Sequence, residues 1–201
     1  VAEPRDYYRN LLAEQHRIPS RNVFRDWRDA VGYGRLGDAV VISTQDTQHK
    51  EPAIYFAKER YNILLEKPMA TNEQDCRSIV DAAIDNNIVF AVAHVLRYTP
   101  YTQKLKQILD SGAIGDVVSV QRLEPVGYWH YAHSYVRGNW RKESDSTFML
   151  MAKSCHDLDW IRYIVGARCK KVSSFGSLKH FRKENKPAGA AERCLDCRVE
   201  A

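Results

Sequence analysis

Glu66-Lys67-Pro68 places an acid, a base and a ring-constrained backbone directly after a short apolar run, Ile63 to Leu65. The run reads as a buried strand. Pro68 sets its own φ and restricts Lys67 to extended conformations, so the lysine leaves the strand in a defined direction. Thr71-Asn72-Glu73-Gln74 has capping-box spacing and predicts the start of a helix. A lysine between a strand and a helix lies on the edge where open α/β sheets take their ligands, and there it can meet a substrate or cofactor. The plain alternative is a solvated Lys–Glu pair at an ordinary strand end.

A second group lies downstream. Residues 148–165 read as one helix closed by Gly166. Lys153, His156, Asp157 and Trp160 share one face at helical spacing, and Cys155, Leu158, Ile161 and Val165 share another. An ammonium, an imidazole and a carboxylate on one face are either a candidate site or a solvated polar stripe.

The elements that must position these groups follow from periodicity. Val1 to Glu3 reads as the tail of a strand, residues 4–15 as a helix, residues 22–24 as a short extended piece and residues 26–30 as one helical turn. Strands are predicted at 39–44, 62–65 and 88–93, each a continuous apolar run as in a parallel sheet covered on both faces. Helices are predicted at 48–60 and 72–86. This alternation indicates a doubly wound parallel sheet. A helix at 99–111, a strand at 116–124, a long aromatic and polar loop at 125–147, the helix at 148–165, a strand at 169–178 and a polar tail follow. Gly32-Tyr33-Gly34-Arg35-Leu36-Gly37 matches GxGxxG letter for letter, yet it precedes a strand instead of joining a strand to a helix. A dinucleotide fingerprint needs the opposite order, so this is a loop.

With 201 residues and a net charge of +5 spread along most of its length, the chain needs no nucleic-acid partner, and no run approaches transmembrane length. Three of the five cysteines (Cys76, Cys155, Cys169) lie in or beside apolar patterns, which suits a reducing, cytoplasmic setting. Cys194 and Cys197 form a lone CxxC, half a zinc site at best, so no metal site is assigned. Neither end closes on an obvious element, and the chain is expected to be cut at both.

Together these pieces resemble the Gfo/Idh/MocA oxidoreductase family. The carriers are Val40-Val41-Ile42-Ser43-Thr44 with His49, the Glu66-Lys67-Pro68 motif, Arg97-Tyr98 after the last strand, and His156-Asp157-Leu158-Asp159 with Gly166. The resemblance spans essentially the whole chain. It implies an incomplete Rossmann-type parallel sheet over 1–98, followed over 99–201 by part of an α/β substrate domain with an open sheet. It implies NAD or NADP as cofactor and hydride transfer at a secondary alcohol of a sugar, cyclitol or related polyol.

Lys67 would polarise the reacting oxygen, His156 would be the acid/base, and Lys153 would contribute to the proton relay. Glu3 would bind the adenosine ribose and Arg5 admit a 2′-phosphate. Ser43, Thr44, His49, Glu66 and Arg97 would line the cofactor. His130, Arg137, Asn139 and Asp157 would approach the substrate. The family's glycine-rich turn would lie before Val1. Ala152 stands where many relatives have an aspartate. The complete protein is expected to be a homo-oligomer. Two alternatives remain at this point: a glycoside hydrolase or lyase of the same family using its cofactor transiently, and a non-catalytic cofactor-binding paralogue.

Overall fold

The computed structural model describes residues 1–199, with the side chain of Cys194 outside that description, and with it the expected half-site of Cys194 and Cys197. Two units are present, Val1–Ala167 and Arg168–Ala201.

The first unit opens with α1 (Asp6–Gln15) and continues through β1 (Ala39–Ile42), α2 (Lys50–Lys58), β2 (Asn62–Leu65), α3 (Glu73–Asp85) and β3 (Phe90–Val92). The three strands form one parallel sheet in the order β1-β2-β3. Ile42, Leu65 and Val92 stand in register, as do Val41, Leu64 and Ala91. Both crossovers step the same way across the sheet, and α2 and α3 contribute to one core on the same face, as the usual right-handed crossover preference requires. There Ile42, Ala53, Ala57, Ile63, Leu65, Ala70 and Ile79 make the core.

The other face corrects the expectation of a sheet covered on both sides. Val41 is 66% exposed and Leu64 is 43% exposed. A continuous apolar run cannot by itself distinguish these two situations, because both strand faces are apolar either way.

Local chemistry accounts for the element ends. The cap of α3 is Asn72, whose side chain accepts from the Asp75 amide at 2.9 Å, one residue later than the Thr71 cap suggested by the capping-box spacing. Asparagine is the stronger cap, and its amide reaches the third helical nitrogen. Asp26 and Asp29 form a reciprocal capping box around the turn Trp27–Ala30. The 32–37 glycines lie in an irregular stretch before β1, with Gly32 and Gly34 at positive φ, as a loop requires.

Beyond β3, a 3₁₀ turn over Val95–Tyr98 leads into α4 (Pro100–Asp110), with Pro100 at the first helical position and Thr99 extended before it. The predicted strand 116–124 is absent. A strand needs a neighbour to take its amides and carbonyls, and none pairs with this stretch among the described residues; Val118 is almost fully exposed. The predicted loop 125–147 contains helical structure: α5 (Tyr128–Tyr131) runs into a π-helical turn, Ala132–Val136. The predicted helix 148–165 is two helices, α6 (Met149–Ala152) and α7 (Cys155–Val165), and Gly166 ends the second in the left-handed conformation.

The second unit holds short 3₁₀ turns at Lys183–Asn185 and Cys194–Asp196, and the strand expected at 169–178 does not form. An ion pair of Lys186 with Glu192 and side-chain bonds from Asn185 to the carbonyls of Lys179 and His180 tie it locally.

Candidate active site at the carboxyl edge of the sheet

Parallel strands in register deliver their next residues side by side. The Glu66 amide donates to Ile42 O (2.9 Å) and the Ala93 amide to Leu65 O (2.8 Å). The register thus extends one step beyond the strands, to Ser43, Glu66 and Ala93, and Thr44, Lys67 and His94 are the next residues along the carboxyl edge. His94 was not singled out from sequence, although an apolar strand ending in histidine is the signal that marks it.

The break between α6 and α7 completes the centre. The His156 amide bonds Lys153 O instead of Ala152 O, three residues back instead of four. Ala152 O thereby lacks its helical partner, and Lys67 Nζ donates to it at 2.9 Å. The position read as a missing aspartate supplies a backbone acceptor to the lysine. A single unbroken helix would have kept that carbonyl for itself.

Around Lys67 stand His94, His156 and Cys155. The two imidazoles meet edge-to-face with ring centroids 5.9 Å apart, and Nδ1 of each is buried with no hydrogen-bond partner. Burial pushes the pKa of His156 down, and the charges of Lys67, His94 and Lys153 push it further, against Asp157. Burial likewise lowers His94, with Arg97 and Lys67 adding to it and Asp159 opposing. Burial pushes the Cys155 thiol up, so Cys155 is no ready thiolate.

The two lowered histidines predict a pH dependence. Below about pH 6.5 the unfolded chain takes up protons that the folded one resists, so stability falls as pH drops through that window and is regained above it. Thermal unfolding of the chain at pH 5.2 and pH 7.5, taken as about one unit either side of the reference, should show the lower midpoint at the acidic value. In a chain carrying both His94→Gln and His156→Gln the difference should shrink; an undiminished difference would assign it to other groups.

The polar face of α7 is turned inward, which decides against the solvated stripe. Asp157 and Trp160 are buried, while Leu158 is 60% exposed. Partners distant in sequence make this possible. Arg122 Nε donates to Asp157 Oδ1 (3.0 Å), and its guanidinium lies over the Trp160 ring. Trp160 Nε1 donates to the Thr102 hydroxyl (2.9 Å). Asp157 is therefore committed to Arg122 through one oxygen, and its Oδ2 is buried without a partner. Lys153 pairs with Glu124 at 3.6 Å.

Several other expected residues are differently employed. The ring of His49 is fully buried, with Nδ1 2.9 Å from Pro68 O and Nε2 3.1 Å from Thr44 O. It ties the loop after β1 to the loop after β2 and has no free nitrogen for a cofactor. Arg97 is bound through Nε to Asp159 at 2.7 Å, with a second bond from its other end, and stacks on Tyr163. It joins the segment after β3 to α7. Glu3 and Arg5 engage each other in a two-point ion pair, which holds the Glu3 carboxyl below its usual range. Glu66 accepts from the Lys67 amide at 3.2 Å. Ser43, Thr44, Arg137 and Asn139 are exposed, and His130 is half-buried against Trp129.

One further link was invisible in the sequence. Trp140 Nε1 donates at 2.8 Å to Asp46, a buried carboxylate in the turn after β1. It brings the aromatic segment 128–141 to the same edge, where burial, followed by the nearby Asp46, pushes the Tyr135 phenol up.

A model described as the oxidoreductase family with an NAD-binding Rossmann fold matches residues 7–94, and the GFO/IDH/MocA C-terminal domain matches residues 102–194. The chain belongs to the Gfo/Idh/MocA oxidoreductase family. Among its relatives, levoglucosan dehydrogenase of Pseudarthrobacter phenanthrenivorans is 30% identical over 78% of this chain and 40% of its own length. The 2,7-anhydro-N-acetylneuraminate hydratase of Escherichia coli is 26% identical over 74% of this chain and 39% of its own. A levoglucosan dehydrogenase structure, a complex with NADH and levoglucosan, is 27% identical with a TM-score of 0.65, over 82% of this chain and 44% of that one. This Gfo/Idh/MocA chain therefore spans about two-fifths of the length of the curated relatives it matches. No helix among its described residues is long and apolar enough to cross a membrane.

Proposed function

We propose that this chain carries the reaction centre of a nicotinamide-dependent dehydrogenase acting on a secondary alcohol of a sugar, cyclitol or related polyol. The observation that carries the reading is Lys67 on the carboxyl edge of a parallel sheet, steadied by Ala152 O and flanked by His94 and His156. The nicotinamide, when bound, takes up or gives back the hydride. The residues at the edge fit such a group: Ser43 and Thr44 are exposed directly after β1, on the carboxyl edge where Rossmann sheets bind nucleotides.

In this reading Lys67 polarises the oxygen on the reacting carbon and helps to move its proton, and His156 addresses the same oxygen. Lys153 acts at one remove, as a charge beside His156 that is itself paired with Glu124. Asp157 acts through Arg122 in the same way. Glu3 and Arg5 would meet the adenosine end of NAD or NADP once their mutual pair opens. His130, Arg137 and Asn139 belong to the segment that Trp140 anchors to Asp46, and they would approach the sugar from there. The division into a cofactor part, 1–98, and a substrate part, 99–201, a cytoplasmic setting and a homo-oligomeric full-length protein belong to the same proposal.

The test is reduction of NAD or NADP by the full-length protein across a panel of anhydrosugars, inositols and aldoses. Substrate-dependent appearance of reduced cofactor with at least one of them supports the reading. Tight cofactor retention with no net reduction, together with hydration or elimination of an anhydrosugar, would favour a transient-redox enzyme instead. The hydratase among the relatives is the observation that keeps that second reading in view.

A further inference from the structure

The inner nitrogens of His94 and His156 have no use in the reading above. Both Nδ1 atoms are shut off from water and have no hydrogen-bond partner, and the two rings pack edge-to-face at 5.9 Å. Leaving a buried polar atom unpaired costs about 1–3 kcal/mol, so two in one place beside a lysine need a reason.

The cost is not the same for the two states of such a nitrogen. A buried N–H without an acceptor is the rarer and harder case, and an unpaired acceptor is better tolerated. In a neutral imidazole, the nitrogen that lacks a partner therefore keeps its lone pair, and the proton goes to the other one. For His156 that other nitrogen is Nε2. The groups facing the ring argue the same way. Lys67 after β2, Lys153 before α7 and His94 after β3 all oppose a positive charge on His156, and Asp157 alone among the facing groups favours it. Asp157 is held by Arg122. Around His94, Arg97, Lys67 and His156 stand against Asp159, which is itself bound by Arg97.

We propose that His94 is a positioning residue for His156. Its ring closes off Nδ1 of His156 and so fixes His156 as a neutral imidazole that presents Nε2–H, a hydrogen-bond donor, to the substrate oxygen. His156 then polarises that oxygen instead of accepting its proton, and proton movement is left to Lys67. The proposal rests on the dehydrogenase reading for the identity of the oxygen, but the state of the ring is a property of the protein alone.

Nitrogen NMR of the full-length protein, labelled at histidine, reads that state without substrate or cofactor. The expected result is a neutral His156 with its proton on Nε2 at pH 7. His94→Ala, which admits water to Nδ1 and removes a basic neighbour, should raise the His156 titration midpoint by about half a unit or more. His94→Phe keeps the packing and should raise it less. A proton on Nδ1, a charged His156 at pH 7, or a midpoint unmoved by His94→Ala would overturn the proposal. If no polyol reduces the cofactor while these NMR results hold, the dehydrogenase reading has failed and the ring assignment has not. If a polyol is oxidised but His156 titrates identically in wild type and His94→Ala, the reverse is true.

Discussion

Lys67→Ala in the full-length protein is expected to lower turnover by about 10²–10⁴-fold, the range usual for removing a group that moves a proton or stabilises developing charge. Three observations make this the largest expected effect on activity. The lysine lies where the register of β1, β2 and β3 converges. Its Nζ is held by Ala152 O across the gap between the two halves of the sequence. Two imidazoles and a thiol crowd it.

Removing the side chain breaks no ion pair among the described residues but takes the bond from the buried Ala152 carbonyl, so the fold should survive with a modestly lowered melting midpoint. Lys67→Arg should not restore turnover. A guanidinium keeps the charge but cannot give up its proton, and its planar fork does not fit a single carbonyl acceptor. Steady-state kinetics with the best polyol, alongside thermal unfolding, checks this. Turnover within threefold of wild type in Lys67→Ala would remove Lys67 from the chemistry; no turnover in wild type with any polyol would favour the non-catalytic binding paralogue.

The largest expected effect on stability is Leu65→Ala. Leu65 is fully buried at the centre of the cluster with Ile42, Ala53, Ala57 and Ile79. Truncating a buried leucine costs about 2–5 kcal/mol, from lost burial plus the cavity left behind. Leu64, its neighbour in the same strand, points to the other face and is 43% exposed. Leu64→Ala should cost about 1 kcal/mol or less in this chain, near the usual range for surface positions. Urea unfolding of the two variants of this chain measures the contrast directly. Equal costs would show that the open face is covered in solution. Because Leu65 is two residues from Lys67 and its carbonyl takes the Ala93 amide, its loss should also loosen the edge that aligns Lys67 with His94.

The residues that carry the resemblance could be read without a structure because their signals are local. Asn62–Leu65 is a strand over the limits read from its apolar run, and the turn at Glu66-Lys67-Pro68 follows from a proline next to a lysine. Gly166 ends α7, and Pro100 opens α4, by backbone preferences that each residue carries with it. The 32–37 glycines were separable from a true fingerprint by the order of their neighbours alone.

What depended on tertiary structure was the choice of partners. Nothing within α7 indicates that Asp157 turns inward while Leu158 turns outward; Arg122 and Thr102, 35 and 58 residues away from their partners, decide it. Nothing in residues 148–165 marks a helix break, because helix propensity is weak beside the bond that Lys67 offers to Ala152 O. The strand expected at 116–124 had the composition of a strand but finds no neighbour to pair with among the described residues.

His49 and Arg97 have types that suit a cofactor site, yet both are bound to the protein, one by two carbonyls and the other by Asp159. Sequence by itself determined the parallel strand–helix alternation and the lysine on its edge, because periodicity, caps and prolines act over a few residues. Tertiary structure decided which polar groups remain free to do chemistry, because a hydrogen-bond partner can lie anywhere along the chain.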